Sequence, residues 1–274
     1  MRVSITSDMF NYSFRPSMAR KITLFAENGF EYLHWCDDWN NDTLYTAEDM
    51  KRYRRLVEDS GLKCLDVHGT ATTSISIDGD DTAQRAYIRL LENRIKFCSI
   101  LGGDSVVVHP PRYETPRLDE RLKRSRRVLD AVRPLSEELG INVSVENCHR
   151  SDEKILEEYF SKYPPEFVGF CFDSGHANLN GNIDELTKFG DRLKVLHLHD
   201  NYGDRDEHQP PFHGNIDWGR VMEWIGGSSY GKPLNFEVTH YRELFKGSMI
   251  EFMELTVESI NKALELYARA DYLD

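Results

Sequence analysis

Asn142-Val-Ser-Val-Glu146 and Val168-Gly-Phe-Cys-Phe172-Asp173 are two short runs of β-branched and aromatic residues, and each runs out on a carboxylate. Similar runs recur about every 30 residues along the chain, with longer segments of helical period between them. Reading outward from this pair, the other strand candidates are Val3–Thr6, Tyr32–Trp35, Cys64–His68, Ser105–His109, Val195–His199 and Asn235–Val238, eight in all. Among the segments between and after them, Ile88, Leu91, Ile95 and Cys98 form one apolar stripe, and Met249, Phe252, Thr256, Ile260, Ala263 and Tyr267 form another. Gly29, Gly61, Gly102–Gly103 and Gly140 fall just after helices, where a left-handed cap is wanted. Strands alternating with helices imply parallel βαβ units, because each crossover needs a helix to return the chain. Eight units predict a (β/α)8 TIM barrel, an α/β fold, as a single domain over residues 1–274. A doubly wound open sheet is the runner-up, weakened because no Gly-x-Gly-x-x-Gly follows an early strand.

Composition narrows the function. Against 34 Lys and Arg stand 46 Asp and Glu, a net charge of −12, which argues against a nucleic-acid coat although it leaves room for a local basic groove. The basic cluster Arg117 to Arg127 includes Asp119 and Glu120 and reads as the solvated face of an outer helix. No apolar stretch has signal-peptide or membrane-spanning length, and Cys36, Cys64, Cys98, Cys148 and Cys171 show no Cys-x-x-Cys. The expectation is a cytoplasmic protein with reduced thiols and no membrane partner.

The strand ends carry the chemistry. Strand three ends at His68, four at His109, five at Glu146, six at Asp173, seven at His199 and eight at Glu237. In a barrel all six converge on the face where such folds place their active sites. Burying carboxylates without partners is costly, and a divalent metal removes that cost; mixed imidazole and carboxylate ligands suit Zn²⁺ or Mn²⁺, with Mg²⁺ or Co²⁺ also acceptable. His176 follows Asp173 by three residues, and the long loop from Asp200 to Ile216 carries Asp206, His208 and His213. A loop of that length in a barrel is usually functional, though His213 alone reads as a hydrogen-bonding residue. The segment His34-Trp35-Cys36-Asp37-Asp38-Trp39 offers an aromatic, acidic lip, so Trp35 and Trp39 are assigned to a substrate pocket.

Val-Ser-Val-Glu146-Asn, Cys-Phe-Asp173-Ser-Gly-His176-Ala-Asn-Leu, Leu-His-Leu-His199-Asp-Asn, Asp206-Glu-His208-Gln-Pro-Pro and Gly214-Asn-Ile-Asp-Trp218 resemble the xylose isomerase-like barrel superfamily over nearly the whole chain. That superfamily covers sugar isomerases and epimerases, inositol-catabolic enzymes and abasic-site nucleases of the endonuclease IV type. The resemblance implies a metal site on Glu146, Asp173, His199 and Glu237, with Glu146 and Glu237 also the acid/base pair. The three-metal site of the nuclease branch would add His68, His109, His176, Asp206 and His208, and all five are present. Pro-Pro-Phe-His-Gly-Asn-Ile-Asp-Trp218 is more similar to the sugar-acting members.

The resemblance therefore implies a metal-dependent sugar isomerase or epimerase working by proton transfer through an ene-diolate, with one tightly held ion and any others weaker. The alternative enzyme is an endonuclease IV-like phosphodiesterase with two or three metals, and a non-catalytic sugar-binding or metal-storing barrel is a third reading. The expected partner is a small-molecule sugar rather than nucleic acid, and a homo-oligomer is compatible with it.

Overall fold

Successive side chains of a strand point to opposite faces of the sheet, so parity decides what each face of a barrel wall contains. The computed structural model describes residues 2–71, 76–111 and 117–270. Its strands are β1 (Val3–Thr6), β2 (Tyr32–Trp35), β3 (Lys63–His68), β4 (Ser105–Val108), β5 (Asn142–Glu146), β6 (Val168–Asp173), β7 (Leu193–His197) and β8 (Leu234–Phe236). They pair in parallel in the order β7-β6-β5-β4-β3-β2-β1-β8. A parallel bridge between Leu198 and Phe236 joins the two ends. There the Leu198 N–H donates to the Asn235 carbonyl at 3.1 Å and the Glu237 N–H to the Leu198 carbonyl at 3.0 Å, closing the (β/α)8 barrel.

The connecting helices are α1 (Met18–Glu27), α2 (Ala47–Asp59), α3 (Asp81–Leu101), α4 (Leu118–Leu139), α5 (Asp152–Lys162), α6 (Ser174–Asn180), α7 (Ile183–Leu186), α8 (Trp218–Gly226) and α9 (Met249–Ala270). Their boundaries have local causes. The Asp80 carboxylate accepts from the Thr82 and Ala83 N–H groups to start α3, and Gly102, at φ 84°, ends it with its N–H turned back on the helix. Gly29, Gly61 and Gly140 also have positive φ, as their positions after helices predict. No helix among the described residues is long and apolar enough to cross a membrane.

Outward strand residues such as Leu33, Val106, Val108, Val143, Val145, Phe170, Phe172 and Leu196 pack with helix residues such as Leu91, Ile95, Val128, Ile155, Val221 and Ile260 in one buried core. Inside the barrel Val107, Cys171 and Val195 form a separate small apolar layer. Most other inward positions are polar and buried: Ser4, Thr6, His34, Asp66, His68, Ser144, Glu146, Asp173, His197, Asn235 and Glu237. Barrels ordinarily fill these layers with branched apolar side chains, so this interior is unusually polar.

Three strands end earlier than the sequence reading has them. His109, His199 and Glu237 lie just past β4, β7 and β8 rather than within them. At His199 the reason is visible, because its N–H donates to the Ser174 hydroxyl at 3.0 Å and its carbonyl accepts from the same hydroxyl at 2.7 Å, a side chain replacing the ladder. The assignment of Trp35 to the substrate pocket is corrected. One residue out of phase with the inward His34, Trp35 points outward, 1% exposed. Its ring sits 4.7 Å from that of Tyr53 and 5.2 Å from that of Phe97, and its Nε1–H donates to the Tyr45 hydroxyl at 3.0 Å.

Trp35→Ala is therefore a stability variant. It should lower the unfolding free energy by about 3–5 kcal/mol in urea titration and leave the divalent-metal content of the folded protein unchanged. A loss under about 1 kcal/mol would contradict this packing role.

Candidate metal centre

Strands β5, β6 and β8 deliver Glu146, Asp173 and Glu237 to one point at the C-terminal mouth of the barrel, exposed by 1%, 0% and 6%. His197, the last residue of β7, joins them. Its Nδ1 lies 3.4 Å from Glu146 Oε2, 3.2 Å from Glu237 Oε2 and 3.9 Å from Asp173 Oδ2. A ring of further imidazoles surrounds this group. His68 Nε2 and His109 Nε2 stand 3.5 and 3.3 Å from Glu146 Oε2, and His176 Nδ1 is 3.0 Å from Glu146 Oε1 and 3.3 Å from Asp173. His199 Nε2 is 3.1 Å from both Asp173 oxygens and 4.0 Å from Asp206. Asp206 in turn meets His176 Nε2 at 3.4 Å and His208 Nε2 at 3.1 Å. All nine residues assigned to metal, acid/base or nearby roles come together.

The backbone is shaped to hold them. The Asp173 carboxylate accepts the His176 N–H at 2.6 Å, capping α6 and bringing His176 back over the pocket. The long loop after β7 is anchored by buried Asp200, which accepts from the Asn201 N–H, the Ile216 N–H and the Trp218 Nε1–H at 2.9, 3.2 and 2.8 Å. Main-chain bonds in both directions between Asp200 and Gln209 fold the loop back. His208 adopts φ 45°, an uncommon conformation for a side-chain-bearing residue. Its carbonyl accepts the Thr239 N–H at 2.9 Å and its Nδ1 bonds to the Glu237 carbonyl at 2.9 Å. In this conformation its ring stacks flat on that of His199, 3.9 Å apart and 5° from parallel.

Electrostatics follow from burial against mutual charge. Burial alone would raise the Glu146 and Glu237 carboxyls, but the histidines outweigh it, His197 foremost, and hold both well below the usual carboxylate range. Burial would lower His176 and His208; Asp173 and Asp206 respectively lead the charges that lift them well above an ordinary imidazole. His34 is likewise pushed up to about 10 by Asp66 and Glu237 against burial. His68 goes the other way, lowered by burial.

The donor set fits a divalent cation. Glu146 Oε2, His176 Nδ1, His199 Nδ1 and both His197 nitrogens are buried with no hydrogen-bond partner of good geometry among the described residues. Two ligand atoms each about 2.1 Å from one ion stand roughly 3.0–3.4 Å apart at right or tetrahedral angles. The separations of His197 Nδ1 from Glu146 and Glu237 match that spacing better than hydrogen bonds do.

Sequence reading of the strand ends missed His197, His34, Asp66 and Asp8. The first and third are legible by parity, two residues before His199 and His68 on the same inward face. Asp8, just past β1 and 5% exposed, accepts the Thr6 hydroxyl at 2.5 Å, and burial followed by the Glu237 charge raises its carboxyl. Trp39 does reach the pocket, its ring 5.5 Å from that of His68 and 6.1 Å from that of His109. His213 lies elsewhere, in a small cavity of about 50 Å³ with Tyr241, Leu244 and Phe252. The arginines between 117 and 127 are engaged by acids: Arg117 and Arg124 with Glu120, Arg121 with Asp78, Arg126 with Glu158 and Arg127 with Asp81.

A family model described as xylose isomerase-like TIM barrel matches residues 22–268. The chain is 30% identical over 249 residues to the uncharacterized protein y4fM of Sinorhizobium fredii, covering 79% of each. It is 22% identical over 212 residues to a probable endonuclease 4 of Listeria monocytogenes, covering 66% of this chain and 70% of that one. Among solved structures it is similar to an IolI protein with a bound zinc atom, with a TM-score of 0.77, 17% identity, and 97% and 99% coverage of the two chains. A D-tagatose 3-epimerase-like protein gives a TM-score of 0.74 at 21% identity with the same coverage. These two likenesses concern the fold.

Gly175 tests how tightly the site is packed. A Cβ there would lie 2.0 Å from His199 Cε1, so Gly175→Ala must push the imidazole off Asp173. Thermal unfolding should register a loss of about 1–3 kcal/mol. An alanine variant as stable as the parent would show that His199 is not held where the geometry has it.

Proposed function

The chain belongs to the xylose isomerase-like TIM barrel family, and from that premise we propose that it is a divalent-metal-dependent isomerase or epimerase acting on a sugar or sugar derivative. The observation that carries this reading is the pair Glu146 and Glu237. They come from well-separated strands, are both buried, and reach the same His197 nitrogen at 3.4 and 3.2 Å. Two ionised carboxylates flanking one small volume suit removal of a proton from one face of a carbon and delivery to the other.

Glu146, Asp173 and Glu237 would hold the ion with His197 as the fourth ligand, and His199, which contacts Asp173 from the loop side, would be a ligand or orient Asp173. A bound divalent ion supplies Lewis-acid polarisation of a substrate carbonyl and the neighbouring hydroxyl. One of Glu146 and Glu237 takes the C–H proton between those oxygens and the other returns one. Trp39 offers a ring to a sugar C–H face beside His68 and His109, and those imidazoles are placed to bind hydroxyls. His176 and His208, charged beside Asp206, border the same space.

A phosphodiesterase of the abasic-site nuclease kind is the second reading. It is favoured by one observation: His68, His109, His176, Asp206 and His208 all assemble around the same carboxylates, enough donors for further ions. Against it stand the net charge of −12 and the acid-paired arginines of α4.

Incubation of the manganese-loaded protein in deuterium oxide with a panel of ketopentoses and ketohexoses, free and phosphorylated, should give loss of a carbon-bound proton signal by NMR. Glu146→Gln and Glu237→Gln should each slow that exchange by about 10²–10⁴-fold with little change in the thermal transition. Exchange at the parent rate in both variants would remove the proposed roles. Efficient metal-dependent nicking of an abasic duplex at physiological salt would transfer the assignment to the phosphodiesterase.

A further inference from the structure

Below the carboxylates, the floor of the pocket holds a pair that the proposed reaction does not use. His34 on β2 and Asp66 on β3 face each other inside the barrel, both 0% exposed, with His34 Nδ1 hydrogen-bonded to Asp66 Oδ1. That contact fixes the ring: the Nδ1–H donates to the Asp66 carboxylate, and Nε2 is turned toward Glu237. Nε2 has no hydrogen-bond partner among the described residues, and its nearest acid oxygen, Glu237 Oε1, is 3.7 Å away.

A gap of 3.7 Å is too long for an N–H···O bond, which runs to about 3.2 Å. It is the separation expected of two ligands on one ion at a somewhat open angle. His197 completes the arrangement. Its ring centroid is 4.8 Å from that of His34, and one ligand atom each from His34, His197 and Glu237 lie within 4.8 Å of one another. Both His197 nitrogens are themselves buried and unpartnered. An imidazole whose far nitrogen is gripped by a carboxylate is the usual way a protein orients a metal-bound histidine.

We propose that His34 is a direct ligand, through Nε2, to a divalent ion shared with Glu237 and His197, and that Asp66 is its positioning residue. The inference rests on the metal part of the proposed function and is independent of whether a sugar or a phosphodiester is the substrate. It adds β2 to the strands that supply ligands and sets His34 below Glu146, Asp173 and Glu237 on the same ion, leaving the mouth beside His176 and Asp206 for substrate.

The test uses zinc alone. Wild-type protein, His34→Gln and Asp66→Asn are loaded with one equivalent of Zn²⁺, and X-ray absorption at the zinc edge counts bound imidazoles while chelator competition gives the dissociation constant. His34→Gln should lose one imidazole and bind zinc about 10–100-fold more weakly. Asp66→Asn should keep the imidazole count and still bind about 10-fold more weakly. Thermal unfolding of the metal-free variants verifies that each is folded, and if His34→Gln is not, the Asp66→Asn affinity decides. An unchanged imidazole count in His34→Gln, or zinc affinities within twofold of wild type, overturns the role of His34 while leaving the metal site standing. Wild-type protein that binds no zinc and no other divalent ion overturns the metal site and this inference together.

Discussion

Three buried carboxylates meeting at one imidazole is the constraint from which the rest of this molecule follows. Glu146, Asp173 and Glu237 approach His197 Nδ1 within 3.9 Å while almost wholly shut off from water. Like charges that close repel strongly in a medium of low dielectric, and each has also lost its hydration. Two remedies are built in. A shell of histidines supplies positive charge, enough to hold Glu146 and Glu237 ionised despite burial. The unpartnered donor atoms at the centre would suit the second, a cation of the kind proposed above, which would serve all three acids at once.

The barrel is what makes such a cluster affordable. Only a closed parallel sheet brings the ends of β3, β5, β6, β7 and β8 to one mouth, and its alternation sends Leu33, Val145, Phe172 and Leu196 out to the helices while Asp66, Glu146, Asp173 and His197 turn in. The apolar contribution to folding is thereby made almost entirely on the outside of the wall, where the large core cluster lies, with Val107, Cys171 and Val195 as the remaining apolar layer within. Loops then fine-tune the mouth. Ser174 substitutes for a strand partner at His199, Asp200 ties down the segment that carries Asp206 and His208, and Gly175 leaves the space that the His199 ring fills.

Much of this was readable from residue order. The eight runs of β-branched and aromatic residues name the strands, and the residues that close them name Glu146, Asp173, Glu237 and the outer histidines, because a barrel forces strand ends together whatever the details. Looking only at the ends left the next inward layer unread. Asp66 and His197 sit two residues earlier on the same face as His68 and His199, a period-2 signal the sequence does carry. The same rule, applied to β2, separates inward His34 from outward Trp35, which looks like a pocket aromatic only when the segment is read as a composition. What no local pattern could supply is the register at the rim: β7 leaves its ladder with β6 at His197 because Ser174, on the α6 turn after β6, captures the main chain of His199, a contact between residues 25 apart.

The measurement that bears most directly on this account is elemental analysis of the protein purified with neither added metal nor chelator, made in parallel on Asp173→Ala. The account predicts close to one tightly held divalent ion per wild-type chain and its loss from the variant. Wild-type protein that is folded and free of divalent metal, or a variant that retains a full equivalent, would contradict it.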